Sequence, residues 1–236
     1  MTANCGLSLD QMAWRVAQEL QDSWVVNIGI GMPLLVPPHV RADRDVIFHS
    51  ENGIIGMGPE IEGGDHVDPD LLSAGKRPVR LMPGGSFVHH ADSFALARGG
   101  RLDAAILGAF QVAQNGDLAN WKLPGARTGS IGGAMDIAVG ARRVLILMSH
   151  TTREGEPKLV DRLAYPPTAR GVVTKVFTEL GVFAITEDGF VLEEIAPGVC
   201  ADQVRAGSGA QVKTDGATLM VPPDPVSPRE PVLSRA

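Results

Sequence analysis

Apolar positions change their spacing repeatedly along this chain, and each change marks an element. Leu9, Met12, Ala13, Val16, Ala17 and Leu20 keep the three-and-four spacing of a helix to about residue 21. Ser8 and Gln11 form a capping-box pattern at its start, behind a loose leader over residues 1–7. Residues 24–28 are a short strand-like run that enters Gly29-Ile30-Gly31-Met32-Pro33, a glycine turn with Pro33 at a first helical position. Residues 46–50 form a second buried run, broken at Asn52-Gly53 and resumed at Ile54-Ile55. Residues 60–76 are a polar loop, residues 79–82 a short strand, and Pro83-Gly84-Gly85 a turn. Ala91-Asp92-Ser93-Phe94-Ala95-Leu96-Ala97-Arg98 reads as a helix stopped by Gly99-Gly100.

The second half continues the alternation. Residues 103–110 are a buried strand and Asn115-Gly116-Asp117 a turn. Residues 128–136 are a second glycine-rich turn leading into a helix of small apolar residues. Residues 144–148 are almost continuously apolar, as in a strand covered on both faces. A polar excursion over residues 150–171 precedes a helical pattern over 172–180. Residues 182–186 and 190–195 form a hairpin about Asp188-Gly189, and a last helix lies near 201–206. The whole predicts an open three-layer α/β/α sandwich with a mixed, mostly parallel sheet. Residues 1–221 are expected to form one domain, and 222–236, rich in proline and poor in apolar residues, a flexible tail.

Composition narrows the function classes. The chain has 236 residues, 44% hydrophobic, enough for one large core. A net charge of -6 argues against nucleic acid or an anionic membrane as partner. Two cysteines, Cys5 and Cys200, supply no disulfide framework and no metal-ligand cluster, so a reducing cytoplasm is expected. No apolar run approaches the roughly 20 residues of a membrane span. No metal is expected: His89 and His90 are adjacent, and on an extended segment they face opposite ways.

Candidate chemistry concentrates at three turns. Glu51 sits where the run over residues 46–50 meets Asn52-Gly53. One reading is a plain hairpin with a two-residue turn and Glu51 on a solvated edge. The other is a carboxylate at the mouth of a strand, where open α/β sheets present ligands. Gly29 and Gly31 belong to a turn whose backbone N–H groups can cradle an anion, and a plain strand-to-helix turn fits equally. The third glycine of a dinucleotide fingerprint is missing and no acid is placed for a ribose, which argues against a nicotinamide cofactor. Gly132 and Gly133, in the second glycine-rich turn, fit either a helix start or an oxyanion hole.

Ser50-Glu51-Asn52-Gly53 followed by Ile54-Ile55-Gly56 and Gly58-Pro59 resembles the active-site signature of 3-oxoacid CoA-transferase β subunits. Other motifs in the same order are Gly29-Ile30-Gly31-Met32-Pro33, Ala91-Asp92-Ser93-Phe94-Ala95, Arg98-Gly99-Gly100, Gly116-Asp117-Leu118-Ala119-Asn120-Trp121 and Gly132-Gly133-Ala134-Met135-Asp136. The resemblance covers roughly residues 8–205. It implies a glutamate nucleophile at Glu51 and backbone oxyanion donors at Gly132 and Gly133. Asn52 and Gly53 read as shaping the turn, with Asn52 also a candidate substrate contact, and the turn at Gly29 and Gly31 is the candidate CoA-binding segment. The resemblance implies no permanently bound cofactor, with coenzyme A esters as substrates. The implied partner is a homologous α subunit, in a heterodimer or an α2β2 heterotetramer. The chain departs from acetoacetate-using members at His89-His90 and at Lys122-Leu123. The histidines and the run over residues 107–112 point toward a dicarboxylate acceptor such as 3-oxoadipate, with succinyl-CoA as donor.

Rival functions remain open at this point. A hydrolase on the same fold would let water resolve the same intermediate. Sugar-phosphate isomerases share this type of fold and need no thioester-forming glutamate. A non-catalytic protein that only binds ligand would tolerate loss of Glu51.

Overall fold

The computed structural model describes residues 6–61 and 67–223. Gly63-Gly64 of the polar loop, Cys5, most of the leader and residues 224–236 of the expected tail lie outside the described residues. Helix α1 (Leu9–Glu19) starts where the capping box places it. The Gln11 amide donates to Ser8 Oγ at 3.2 Å, and the Ser8 amide donates to Gln11 Oε1 at 3.0 Å. There follow β1 (Val25–Ile28), β2 (Ile47–Ser50), β3 (Ile54–Glu60), β4 (Val79–Phe87), α2 (His90–Arg98), β5 (Ala104–Leu107), β6 (Gln111–Ala113) and β7 (Leu118–Ala119). Then come α3 (Ala134–Gly140), β8 (Val144–Leu147), β9 (Leu159–Val160), β10 (Val173–Thr178), β11 (Gly181–Thr186), β12 (Gly189–Ile195), α4 (Ala201–Gly207), β13 (Val212–Lys213) and β14 (Thr218–Leu219).

The main sheet runs β13-β12-β11-β10-β8-β5-β1-β2-β3-β4, with β14 also beside β12. Its centre, β10-β8-β5-β1-β2, is parallel throughout. Antiparallel β3 and β4 extend one side, and antiparallel β11 and β12 the other. The small sheet β7-β6-β9 stands apart. The sheet is mixed and mostly parallel, as expected.

Period-two alternation divides the central strands between two cores. Val26, Ala104, Ile106, Leu145, Leu147 and Phe177 join Met12, Val16 and Leu20 on the α1 side. Ala105, Leu107, Val144, Ile146 and Val176 join Ala97 of α2, Ile137 of α3 and Val204 of α4 on the other. Helices therefore cover both faces, which is why β5 and β8 are buried at every position. Arg15 pins α1 to β12 through Glu194 at 2.6 Å. Among the described residues, no helix is long and apolar enough to cross a membrane.

Four elements differ from the sequence expectation. Residues 173–178, expected as helix, are strand β10. A register shift between Val173 and Lys175 places Val173 and Val176 in the same core. An irregular strand thus imitates the i, i+3 spacing of a helix. Pro83-Gly84-Gly85 does not end a strand; it lies inside β4, an edge strand with shifted register, where proline is tolerated. The turn after β1 feeds two 3-10 turns, Met32–Leu35 and Pro37–His39, because Pro37 and Pro38 stop an α-helix from growing. The strand expected over 103–110 closes at Leu107, and β6 resumes in the small sheet. The late hairpin forms as expected, with Thr186 paired to Gly189.

Two buried histidines couple this fold to pH. His150 bridges Thr178 Oγ1 at 3.1 Å and Ser208 Oγ at 3.0 Å. His49 contacts Ser93 Oγ at 2.8 Å. Burial lowers both rings from an ordinary 6.5 to about 4. Below pH 6.5 the unfolded chain therefore takes up protons that the folded chain refuses until near 4. The stability is present above 6.5 and is lost as pH falls through that window, by about 3 kcal/mol per histidine. Thermal unfolding followed from pH 7.5 to 4.5 should show a falling Tm, and His150→Gln should flatten the slope; parallel slopes would contradict the assignment.

Candidate functional site

The hairpin that joins β2 to β3 carries the central carboxylate. Ser50 pairs with Ile54 and His49 with Ile55, so the loop is Glu51-Asn52-Gly53, one residue longer than expected. Gly53 has φ of 119°, and an added Cβ would collide with the Val88 carbonyl oxygen. The Val88 amide donates to Gly53 O at 2.9 Å, and the Gly53 amide to Ser50 O at 3.0 Å. Asn52 Nδ2 donates to Leu72 O at 2.7 Å. The Ala74 amide donates to Ser50 Oγ at 2.9 Å. The loop is thus tied on both flanks. The hairpin reading is right about the backbone and wrong about Glu51, which is half-buried and lines a cleft.

That cleft, of about 370 Å³, follows the carboxyl ends of β1, β5 and β8 and the tip of β2. It brings together Glu51, Gly29, Gly132 and Gly133, which are more than 100 residues apart at the extremes. Gly29 reaches the cleft from β1 and donates its amide to Ile106 O at 2.9 Å. Gly31 does not line the cleft; it precedes the first 3-10 turn. Asn52 does not line it either, and its amide is spent on Leu72.

The second glycine-rich turn also lines the cleft. A Cβ on Gly133 would stand 2.5 Å from Phe94 Cζ, so a glycine is required for the turn to rest on α2. Among the described residues, the Gly132 and Gly133 amides form no hydrogen bond. Trp121 braces this turn: its carbonyl accepts from the Ser130 amide at 2.9 Å, and its Nε1 donates to Pro167 O at 3.2 Å. Its role is packing.

Behind Glu51 runs a buried polar chain. Asn27 Nδ2 lies 3.0 Å from His49 Nδ1 and 3.3 Å from His49 O, and His49 Nε2 lies 2.8 Å from Ser93 Oγ. With Asn27 as donor, the neutral His49 accepts at Nδ1 and donates from Nε2; the network assigns this tautomer. Asn27 Oδ1 is buried without a partner among the described residues. Burial raises the Glu51 carboxyl above the ordinary carboxylate range, opposed by its backbone amide, the Asn27 side chain and the charge of His90. His89 caps α2 through Nδ1, which accepts from the Ala91 amide at 3.2 Å. His90 stacks on Phe94 at 4.9 Å, and neither histidine lines the cleft.

Sequence reasoning does not single out Asn27 or Lys158, which also line the cleft. Asn27 leaves a signal, a polar residue inside an apolar strand run. Lys158, inside the polar excursion, leaves none.

The sequence pattern of the family described as Coenzyme A transferase matches residues 9–207. The B-type chain of the 3-oxoadipate CoA-transferase of Pseudomonas putida (strain KT2440) is 47% identical over 211 residues, 89% of this chain and 98% of the relative. The B-type chain of the succinyl-CoA:3-ketoacid coenzyme A transferase of Helicobacter pylori (strain J99) is 44% identical over 198 residues, 84% of this chain and 94% of the relative. The fold is similar to that of an acyl-CoA transferase from Escherichia coli O157:H7 solved as a thioester complex with CoA, at 23% identity and a TM-score of 0.70. The match covers 94% of this chain, which spans 44% of that neighbour's length.

The raised pKa of Glu51 has a stability consequence. The folded chain holds this proton more tightly than the unfolded chain, so ionising Glu51 costs stability. The cost is fully present above the folded pKa and absent below the ordinary 4.5. Glu51→Gln should therefore melt at or above the wild-type temperature at pH 8, and its advantage should shrink as pH falls. A variant less stable than wild type at pH 8 would contradict the assigned burial.

Proposed function

The chain belongs to the coenzyme A transferase family, as its B-type chain, and on that premise we propose that it transfers CoA from succinyl-CoA to a 3-oxoacid through a glutamyl-CoA thioester on Glu51. The 3-oxoacid favoured is 3-oxoadipate, with acetoacetate next. The observation that carries the reading is that Glu51 is the one carboxylate lining the cleft among the described residues, and it is held half-desolvated.

In the proposed sequence a Glu51 carboxylate oxygen attacks the thioester carbonyl. The Gly132 and Gly133 amides donate to the developing oxyanion. Collapse expels CoA thiolate and leaves a mixed acyl-glutamyl anhydride. The thiolate then attacks the glutamyl carbonyl and releases the donor acid as carboxylate. The resulting glutamyl-CoA thioester is attacked by the acceptor carboxylate, and the same two steps run backwards to new acyl-CoA and free Glu51. The donor acid leaves before the acceptor reacts, so the cycle is ping-pong, and thioester is exchanged for thioester, so no ATP is needed. A desolvated carboxylate suits the role: it loses less hydration on attack.

The CoA arm is proposed to run along the cleft past Gly29, whose missing side chain lets β1 pack against β5, with Gly31 shaping the turn behind it. The partner proposed is a homologous A-type chain, the α subunit of a heterodimer or α2β2 tetramer. Supporting this, apolar side chains stand exposed around the Glu51 hairpin: Phe87 is 62% and Met82 48% exposed on edge strand β4, and Ile30 is 64% exposed at the cleft. The compartment proposed is the cytoplasm, in keeping with Cys200, an exposed free thiol.

The test uses the chain co-purified with its A-type partner. Succinyl-CoA without acceptor should leave a CoA-sized adduct that maps to Glu51 by mass and disappears on adding 3-oxoadipate or acetoacetate. Adduct loss in water alone, at the rate seen with acceptor, would favour a hydrolase. Glu51→Ala should fold and lose transfer on the order of 10³-fold or more. Retained transfer would sink the mechanism and leave a ligand-binding role.

A further inference from the structure

The cleft contains two charged side chains among the described residues, Glu51 and Lys158. They come from different segments of the fold. Glu51 follows β2, while Lys158 lies in the excursion after β8, directly before β9 of the small sheet, and β1 and β5 separate β2 from β8. Three strand intervals, about 14 Å, separate β2 from β8 in the main sheet. Lys158 is held by its backbone on two sides: its amide donates to His150 O at 3.1 Å, and its carbonyl accepts from the Val112 amide at 2.9 Å. Its Nζ donates to Ser149 Oγ at 3.3 Å. Among the described residues, no carboxylate lies within ion-pair distance of it, unlike Lys175 and Lys213. Burial pulls its pKa below the ordinary lysine value, and Glu179 opposes the shift from a distance. A half-buried ammonium without a counterion, on a rigid backbone and facing a cleft in an acidic protein, is completed by an anionic ligand.

We propose that Lys158 binds the second carboxylate of a dicarboxylic substrate while the first carboxyl, or its thioester, reacts at Glu51. This rests on the Glu51 reading for its orientation, since the reacting end must lie at the hairpin tip. It moves the dicarboxylate preference away from His89 and His90, which do not line the cleft, onto a residue that does. An acid of four to six carbons with a carboxylate at each end would then bridge the two charged positions. A monocarboxylic acid would leave Lys158 unpaired and gain nothing from it. The CoA phosphates are the other anions that could reach an ammonium here, and the test separates them.

Binding of succinate, 3-oxoadipate and acetoacetate to the complex with the A-type partner is measured by calorimetry for wild type, Lys158→Met and Lys158→Arg. Lys158→Met should weaken both dicarboxylates roughly 10- to 100-fold. It should change acetoacetate by less than about threefold, and Lys158→Arg should recover most of the loss. Equal weakening of all three acids, or of none, overturns the proposal. In a second arm, formation of the Glu51 adduct is compared between acetyl-CoA and acetyl-pantetheine. A loss in Lys158→Met that appears with acetyl-CoA and vanishes with acetyl-pantetheine would place the CoA phosphates on Lys158 and overturn it too. A dicarboxylate-selective loss in calorimetry together with no wild-type adduct would instead leave Lys158 as the carboxylate anchor and reject Glu51 as nucleophile.

Discussion

The backbone passes too close to itself at the Glu51 hairpin for any side chain at Gly53, and much of the site follows from that contact. The Val88 amide and the Gly53 carbonyl bond across this passage, which ties the tip of β2 to the end of β4 just before α2 begins. Because α2 starts at His90, the same contact sets where Ser93 and Phe94 lie. Ser93 ends the polar chain through His49 to Asn27. Phe94 is the surface on which Gly133 rests, leaving no room for a methyl group. One narrow passage therefore positions the carboxylate and, through α2, the glycine turn that shares its cleft.

The same arrangement opposes stability. Desolvation raises the Glu51 carboxyl and lowers His49, and Asn27 Oδ1 is buried without a partner among the described residues. A fold optimised for stability alone would place apolar residues at these positions. The compensation comes from the two-sided core, where β5 and β8 are buried at every residue, and from the ties of Asn52 and Ser50 to the segment at Leu72 and Ala74. A polar cluster on a rigid sheet edge, with its hydrogen bonds largely satisfied by neighbours on three elements, is what a preorganised site requires.

The departures from sequence expectation share one physical origin. Spacing misleads where the backbone leaves a regular period. The register shift in β10 turns strand alternation into a helix-like pattern, and irregular pairing carries β4 through a Pro-Gly-Gly segment that looks like a stop. Turn chemistry is legible where the local chain decides it, as in the capping box of α1 and the late hairpin. It is less so after β1, where Pro33 favours a helical start and Pro37 and Pro38 then halt it.

The sequence by itself determined the alternation of helices and strands through most of the chain, the two glycine-rich turns, and the motif that marks Glu51, because propensity, capping and turn chemistry act over a few neighbouring residues. Tertiary structure alone decided that Glu51 is half-buried, that Gly132 and Gly133 line its cleft while Asn52 and Gly31 do not, and that Asn27 and Lys158 share it. Desolvation, and which strand ends meet at a sheet edge, depend on contacts between residues far apart in the chain. No local pattern records them: a lysine in a polar stretch reads the same whether it faces solvent or closes a cleft.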